Sequence, residues 1–389
     1  MQRLRRTEDE NALLSLLEAF PVVGLVGARQ VGKTSLARAV AARIAGPVHH
    51  FDLEDPDDQR RLSEPKLVLG PLTGLVVLDE IQLQPGLFSL LRVLADRSAA
   101  PARFLVLGSA SPAHLRQSAE TLAGRIAYYE LGGFRLDDVG ADAWRELWRR
   151  GGFPRAFLAD DEASARWREQ FVRTFLERDL PALGIGVPAT TMRRFWSMLA
   201  HNQGQLWNAA ALARNFGVSE MTVRRYLDHL EGALVVRVLK PWHAQVGKRQ
   251  VKSPRVYLAD SGLLHTLLGL VSHEALLGHP VVGASFEGFV IEQIARELGM
   301  PWDTLHFWRT ADGAEVDLVW SRDDARVGFE VKLTTAPSVT KSMHVALRDL
   351  GLRELFVVHA GTEAWPMGER IEAVPIASLG ARIATLKGR

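Results

Sequence analysis

Gly27-Ala28-Arg29-Gln30-Val31-Gly32-Lys33-Thr34 has the spacing G-x-x-x-x-G-K-[ST], and Ser35 follows it. These residue types at this spacing suit the cradling of a nucleoside triphosphate. Gly27 and Gly32 permit the backbone turns that point successive N–H groups inward, making an anion nest at a helix N-terminus. Lys33 would reach the β- and γ-phosphates of ATP, and the Thr34 hydroxyl would ligate Mg²⁺. Asp79-Glu80 ends the apolar run Leu75-Val-Val-Leu78. Asp79 would hold the Mg²⁺ through water and Glu80 would polarise the attacking water. Ser109, at the end of another apolar run, is a candidate polar sensor of the γ-phosphate or an ordinary turn serine.

A second set lies near the other end. Asp317 is followed, twelve residues intervening, by Glu330-Val331-Lys332. Strand alternation puts Glu330 and Lys332 on one face. Paired carboxylates bind a divalent metal, Mg²⁺ or Mn²⁺, and a lysine beside them can orient or deprotonate a water. Glu287, on a preceding helix, is a further candidate ligand. The plain reading of Glu-x-Lys is a solvated ion pair. A third set is cationic: Arg224, Arg225, Lys248, Arg249 and Lys252, with Thr222, are candidates for meeting DNA phosphates or base edges.

The elements that must carry these groups follow from periodicity. The spacing predicts helices over 8–19, 35–44 and 87–95 and strands over 22–26, 49–53, 75–78 and 103–107. Each strand is apolar on both faces, which indicates a parallel sheet covered by helices. Residues 136–205 read as a helical lid or linker in which Trp144 and Trp148 stand one turn apart. Residues 206–270 read as a winged helix, with helices Ala209–Asn215 and Ser219–Leu230 about a turn at Gly217 and with Ser219 as N-cap. Leu212, Val218, Val223 and Leu227 fall where its core belongs, and a basic hairpin with Lys248, Arg249 and Lys252 follows. Residues 271–389 form a further α/β unit, with a helix 286–298, strands near 305–309, 315–320 and 327–332, a helix 339–350 and a strand 355–358.

The run Gly27–Thr34, then Leu78-Asp-Glu-Ile-Gln82, Leu107-Gly-Ser-Ala-Ser111 and Leu122-Ala-Gly-Arg125, resembles a large prokaryotic family of AAA+-type ATPases. Gly151-Gly-Phe-Pro154, Phe175-Leu-Glu-Arg-Asp179, Ser253-Pro-Arg-Val-Tyr257, Asp260-Ser-Gly262 and Phe286-Glu-Gly288 extend the resemblance over nearly the whole chain. It implies an α/β chain with an N-terminal AAA+-type P-loop parallel sheet over residues 1–135, then the helical lid and winged helix, then a C-terminal restriction-endonuclease-like α/β domain. It implies ATP binding and hydrolysis. Asp317 with Glu330-Val-Lys332 is similar to the D…(D/E)-x-K signature of such nucleases, many of which have lost activity. Such ATPases assemble into rings, a hexamer among the ring sizes, in which one copy supplies an arginine in trans. Arg125 is the first candidate, with Arg155 and Arg178 behind it; the plain reading of each is a surface or ion-paired arginine.

Composition sets the remaining limits. The chain has 389 residues, 47% hydrophobic and 24% charged, as in an ordinary folded protein of two or three domains. There is no cysteine, which excludes disulfides, cysteine-ligated zinc, iron–sulfur clusters and thiol nucleophiles. No apolar run is long enough to span a bilayer, no secretory h-region follows the basic start, and a cytoplasmic location is the default. The net charge is only +2, yet residues 190–255 hold eleven Arg and Lys against three acids. That footprint points to nucleic acid. The leading expectation is an oligomeric, Mg²⁺-dependent, DNA-handling ATPase with a metal-dependent nuclease-like domain. The alternative is a regulatory ATPase switch acting on a protein partner, its last domain an inert scaffold.

Overall fold

The structure is a computed structural model that describes residues 4–97, 102–111, 122–242, 250–323 and 325–388. Its contacts divide the chain into two compact units, residues 1–132 with 232–234, and residues 133–231 with 235–389. The second unit holds the helical segment, the winged helix and the C-terminal sheet together.

The first unit is built on five parallel strands, β1 (Val22–Val26), β2 (Val48–Asp52), β3 (Gly74–Asp79), β4 (Ala102–Gly108) and β5 (Ile126–Glu130), in the order β2-β3-β4-β1-β5. The sequence expectation of a parallel sheet holds. Every residue of β1 is buried, as is the run Leu75–Leu78 of β3, because helices cover both faces and leave no side of the strand for polar residues. The helix Leu87–Ala95 buries Leu87, Phe88, Leu91 and Leu94, spaced to form one stripe. The helix after the phosphate loop runs Lys33–Ala41, starting two residues earlier and ending three earlier than periodicity indicates. Strand β4 lies between β1 and β3. Its end at Gly108-Ser109 is therefore delivered between the loop that follows β1 and the acids that end β3.

The second unit contains one eight-stranded mixed sheet. Its strands are β6 (Val236–Pro241), β7 (Arg255–Leu258), β8 (His306–Arg309), β9 (Glu315–Arg322), β10 (Ala325–Lys332), β11 (Glu354–His359), β12 (Trp365–Gly368) and β13 (Ile371–Pro375), in the order β12-β13-β11-β10-β9-β8-β6-β7. The winged-helix strands do not stand apart. Strand β6 pairs with β7 antiparallel and with β8 parallel, so the winged helix is annealed to the edge of the C-terminal sheet. The helix Val282–Leu298 buries Phe286, Phe289, Val290, Ile291 and Ile294, and the stripe continues to Leu298. Strands β12 and β13 and the last helix, Leu379–Lys387, were not indicated by the pattern. No helix of the described residues is long and apolar enough to cross a membrane.

The glycine motifs of this unit have a packing origin. The Asp260 carboxylate accepts from Gly152 N at 2.7 Å and from Leu263 N at 2.9 Å, which caps the helix Ser261–Leu267. A Cβ on Gly262 would lie 2.1 Å from the Arg150 carbonyl oxygen, and one on Gly151 would strike the Asp260 carboxylate. Gly-Gly-Phe-Pro and Asp-Ser-Gly are thus the two sides of one close backbone contact.

Candidate functional site

The phosphate loop sits where β1 hands over to the helix Lys33–Ala41. Gly32 has φ 108°, a conformation L side chains avoid. A Cβ on Gly27 would meet the Leu131 carbonyl oxygen at 2.4 Å. Lys33 is buried, and its ammonium donates to Gly27 O (3.0 Å), Ala28 O (3.2 Å) and Ser109 Oγ (2.9 Å). Burial lowers its pKa, against the pull of Glu80 and Asp79. Thr34 and Ser35 are exposed at the helix N-terminus, where the loop's N–H groups and the helix dipole favour an anion.

Asp79 and Glu80 meet this loop. Thr34 Oγ1 donates to Asp79 Oδ2 at 2.7 Å. Burial raises the Asp79 pKa, against the Thr34 hydrogen bond. Ser109 Oγ donates to the Glu80 carboxylate at 3.1 and 3.2 Å while accepting from Lys33. The Ser109 hydroxyl thus bridges the loop lysine and the second acid. Glu80 itself has φ 54° and ψ 48°. A non-glycine residue in the left-handed region costs on the order of 1 kcal/mol, and such strain gathers at functional sites. Gln82 Nε2 also donates to Glu80, on Oε2. The Thr34 hydroxyl beside a carboxylate is a hard oxygen donor set, which fits Mg²⁺. Arg29 reaches Glu54 at 2.8 Å, on the outside of the loop.

Arg125 is paired with Asp96 at 2.5 Å and also donates to Ala123 O. Arg155 and Arg178 are exposed. In the winged helix, Gly217 caps the helix Ala209–Phe216 in the left-handed conformation, and Ser219 Oγ accepts from Thr222 N. Leu212, Val223 and Leu227 are buried, Val218 half so. Arg224, Arg225 and Lys252 are exposed, while the Thr222 hydroxyl is tied to the Ser219 cap at 2.9 Å. Lys248 and Arg249 lie outside the described residues.

The second cluster is built around a residue to which sequence reasoning gave no role. Arg255, on β7, donates to Glu287 Oε1 (3.0 Å), Asp317 Oδ1 (3.2 Å) and Glu315 Oε2 (2.9 Å). Tyr257 OH donates to the same Glu287 oxygen at 2.5 Å, and Val331 N donates to Asp317 Oδ2 at 3.0 Å. Lys332 pairs with Glu330 at 2.7 Å, leaving Glu330 Oε2 buried with no hydrogen-bond partner. Burial, then the nearby charge of Asp317, raises Glu287 to about 8 and Glu330 to about 7. Burial opposes the charge of Arg255, but Tyr257, Glu287, Asp317 and Glu315 outweigh it and raise its pKa. Gly288 leaves room for this packing, since a Cβ there would lie 2.6 Å from Gln203 Nε2 and 3.0 Å from the Tyr257 ring. The structure therefore does bring Glu287, Asp317 and Glu330 into one neighbourhood, with Lys332 at its rim. The group that Glu287 and Asp317 share is the Arg255 guanidinium, while Glu330 answers to Lys332. Among the described residues, no three His, Asp or Glu side chains are arranged to hold a metal ion, so the cluster does not fit Mg²⁺ or Mn²⁺. Arg-x-Tyr in Ser253-Pro-Arg-Val-Tyr257 was the available signal, because alternation on a strand places Arg255 and Tyr257 on one face.

Comparison with known proteins agrees with this division. Residues 19–139 match the family model described as "AAA domain". Residues 141–274 and 282–379 match two models described as "Domain of unknown function", DUF8612 and DUF4143. "Uncharacterized protein Rv2008c" of Mycobacterium tuberculosis is 48% identical over 373 residues, covering 96% of this chain and 84% of its own length. A Mycobacterium bovis protein, "Uncharacterized protein Mb2031c", matches to the same extent. Among solved structures, a Walker-type ATPase of Pyrococcus abyssi is similar with TM-score 0.48 and 16% identity, covering 68% of this chain and 96% of its own. The RuvB Holliday junction branch migration motor of Thermotoga maritima gives TM-score 0.28 and 17% identity, covering 60% and 89%. The chain belongs to the family of these mycobacterial proteins, and in it an AAA+-type P-loop ATPase domain precedes two domains of unknown function.

Proposed function

We propose that this protein is a Mg²⁺-dependent ATPase that couples nucleotide turnover to DNA held by its winged helix. One observation carries the first half: Lys33, Ser109 and Glu80 form a continuous hydrogen-bonded chain beside the Thr34–Asp79 pair. The loop N–H groups bind and orient the triphosphate. Lys33, whose ammonium is satisfied by loop carbonyls, exchanges these for phosphate oxygens. Thr34 and Asp79 would hold Mg²⁺, which supplies charge neutralisation on the phosphates. Glu80 accepts a proton from the attacking water, and Ser109 and Gln82 fix the direction in which its carboxylate points.

Exposed Arg224 and Arg225, on a helix N-capped by Ser219, together with Lys252, support the DNA half. Assembly into a ring belongs to the same proposal, with Arg125 exchanging its exposed partner Asp96 for a neighbouring copy's phosphates. The test is steady-state ATP hydrolysis by the full chain with Mg²⁺, alone and with single-stranded, duplex or branched DNA. Stimulation by at least one DNA form is expected. Hydrolysis indifferent to every DNA form, with no DNA retention, would overturn the DNA half and leave a switch acting on a protein partner.

A further inference from the structure

The carboxylates Glu287, Asp317 and Glu330 come from a helix and two strands of the C-terminal sheet, whereas Arg255 comes from the winged-helix strand β7. Its entry is fixed by backbone. The pairs Arg237↔Tyr257 and Leu239↔Arg255 set the register of β7. An isolated bridge between Leu206 and Arg255 and the hydrogen bond from Val256 N to Gln205 O hold it from the other side. The guanidinium is buried and lies over the Phe307 ring at 5.0 Å. A planar, fully charged group in such packing has little freedom to leave.

We infer that Arg255 is the resident cation of this pocket, so that the C-terminal domain takes up no divalent metal there as it stands, and that removing the guanidinium opens a divalent-cation site of Glu287, Asp317 and Glu330. Both Asp317 oxygens are engaged, one by Arg255 and one by Val331 N, and the engaged oxygen of Glu287 serves Arg255 and Tyr257 together. A divalent ion would need those same oxygens and would sit against a fixed positive charge. Without the guanidinium, Glu287 and Asp317 lose their cation, Lys332 compensates Glu330 alone, and Glu330 Oε2 already has no hydrogen-bond partner. Released from Arg255, Glu287 and Asp317 are free to turn with Glu330 toward one ion, and hard oxygen donors bind Mn²⁺ or Mg²⁺. Arg255 fills the pocket whether or not the winged helix meets DNA. It makes the domain a binding or bracing element in which the winged helix itself closes the pocket.

The test is a Mn²⁺ titration of the nucleotide-free full chain, with free Mn²⁺ read by electron paramagnetic resonance. The chains are wild type, Asp317→Asn, Arg255→Met and the double variant. Comparing chains with and without Asp317 separates this pocket from the phosphate-loop site. Wild type and Asp317→Asn should bind equal Mn²⁺. Arg255→Met should bind one further ion, about tenfold or more tighter than any in the double variant, and Mn²⁺ should raise its melting temperature but not that of the double variant. An Asp317-dependent Mn²⁺ site in the wild type would overturn the inference, as would a folded Arg255→Met chain with no added uptake. Should Arg255→Met fail to fold, the first pair still decides: equal uptake upholds the closed pocket and unequal uptake refutes it.

Discussion

Single groups here divide into those that act on a ligand and those that satisfy the interior, and hydrogen bonds tell them apart. Lys33 and Glu80 share Ser109 but have different work. Lys33→Ala removes the phosphate cation, so nucleotide binding should weaken and hydrolysis should vanish. Glu80→Gln preserves size and hydrogen bonding but removes the proton acceptor, so binding should persist while turnover falls about 10²-fold or more. A fluorescent-nucleotide titration beside an ATPase assay checks both, and normal turnover in the Glu80 variant would remove it from the mechanism. His265 is the contrasting case. It is buried, its Nδ1 donates to Arg149 O, and its Nε2 accepts from Ser285, whose oxygen also receives Trp148 Nε1. Burial, reinforced by the charge of Arg168, lowers its pKa to about 4. The unfolded chain binds the proton near pH 6.5 and the folded chain only near 4, so this stability is whole above 6.5 and is lost as pH falls toward 4. Between pH 7.5 and 5 the loss from His265 should be about 2 kcal/mol. Buried carboxylates with raised pKa values, Asp260 among them, act in the opposite direction. The difference between wild type and His265→Gln in denaturation at the two pH values therefore isolates the histidine.

At the scale of elements, legibility followed how local the determining physics was. The phosphate loop, the strands apolar on both faces and the helix Leu87–Ala95 are written in adjacent residues, and their bounds come out close to expectation. Strands β12 and β13 are short, and Trp365–Gly368 includes Pro366 and alternates only between half-buried and exposed positions. Such a strand exists because a sheet edge is there to pair with. Arg255 was hidden for a related reason: within a basic stretch it counts as solvated charge, and only long-range pairing brings acids to it. The glycine motifs were visible as letters, but their reason is tertiary. Gly262→Ala tests that reason. Its Cβ would collide with backbone, which cannot rotate away as a side chain could, so a loss of about 1–3 kcal/mol is expected in urea denaturation. Gly283→Ala, in the helix Val282–Leu298 with nothing near its would-be Cβ, should be neutral or slightly stabilising. Equal effects at the two glycines would mean that the close contact between Gly262 and Arg150 is not what constrains the sequence.

For the whole molecule, the near-zero net charge conceals a partition, and the structure refines it. Of the cations counted between 190 and 255, Arg237 and Arg255 are buried and ion-paired, Arg237 with Glu292 at 3.1 Å. They brace the second unit and contribute nothing to a phosphate-binding surface. Charge counting along a sequence overstates such a surface wherever arginine serves the interior, as the raised pKa of Arg255 among its acids illustrates. The exposed remainder includes Arg193, Arg194, Arg214, Arg224, Arg225 and Lys252. If these meet DNA, each phosphate neutralised releases counterions, and log K should fall with log salt by about 0.9 for every contact. Replacing Arg224, Arg225, Lys248 and Arg249 together by Ser should weaken binding across unrelated sequences and flatten the salt slope by roughly 2–4. ATP hydrolysis without DNA should be unchanged, because these residues lie outside the phosphate-loop unit. Fluorescence anisotropy over a salt series measures affinity and slope at once. A weakened affinity with an unchanged slope would mean the variant damaged the winged helix rather than removing phosphate contacts, while unchanged affinity and slope would place the DNA surface elsewhere on the chain or remove it.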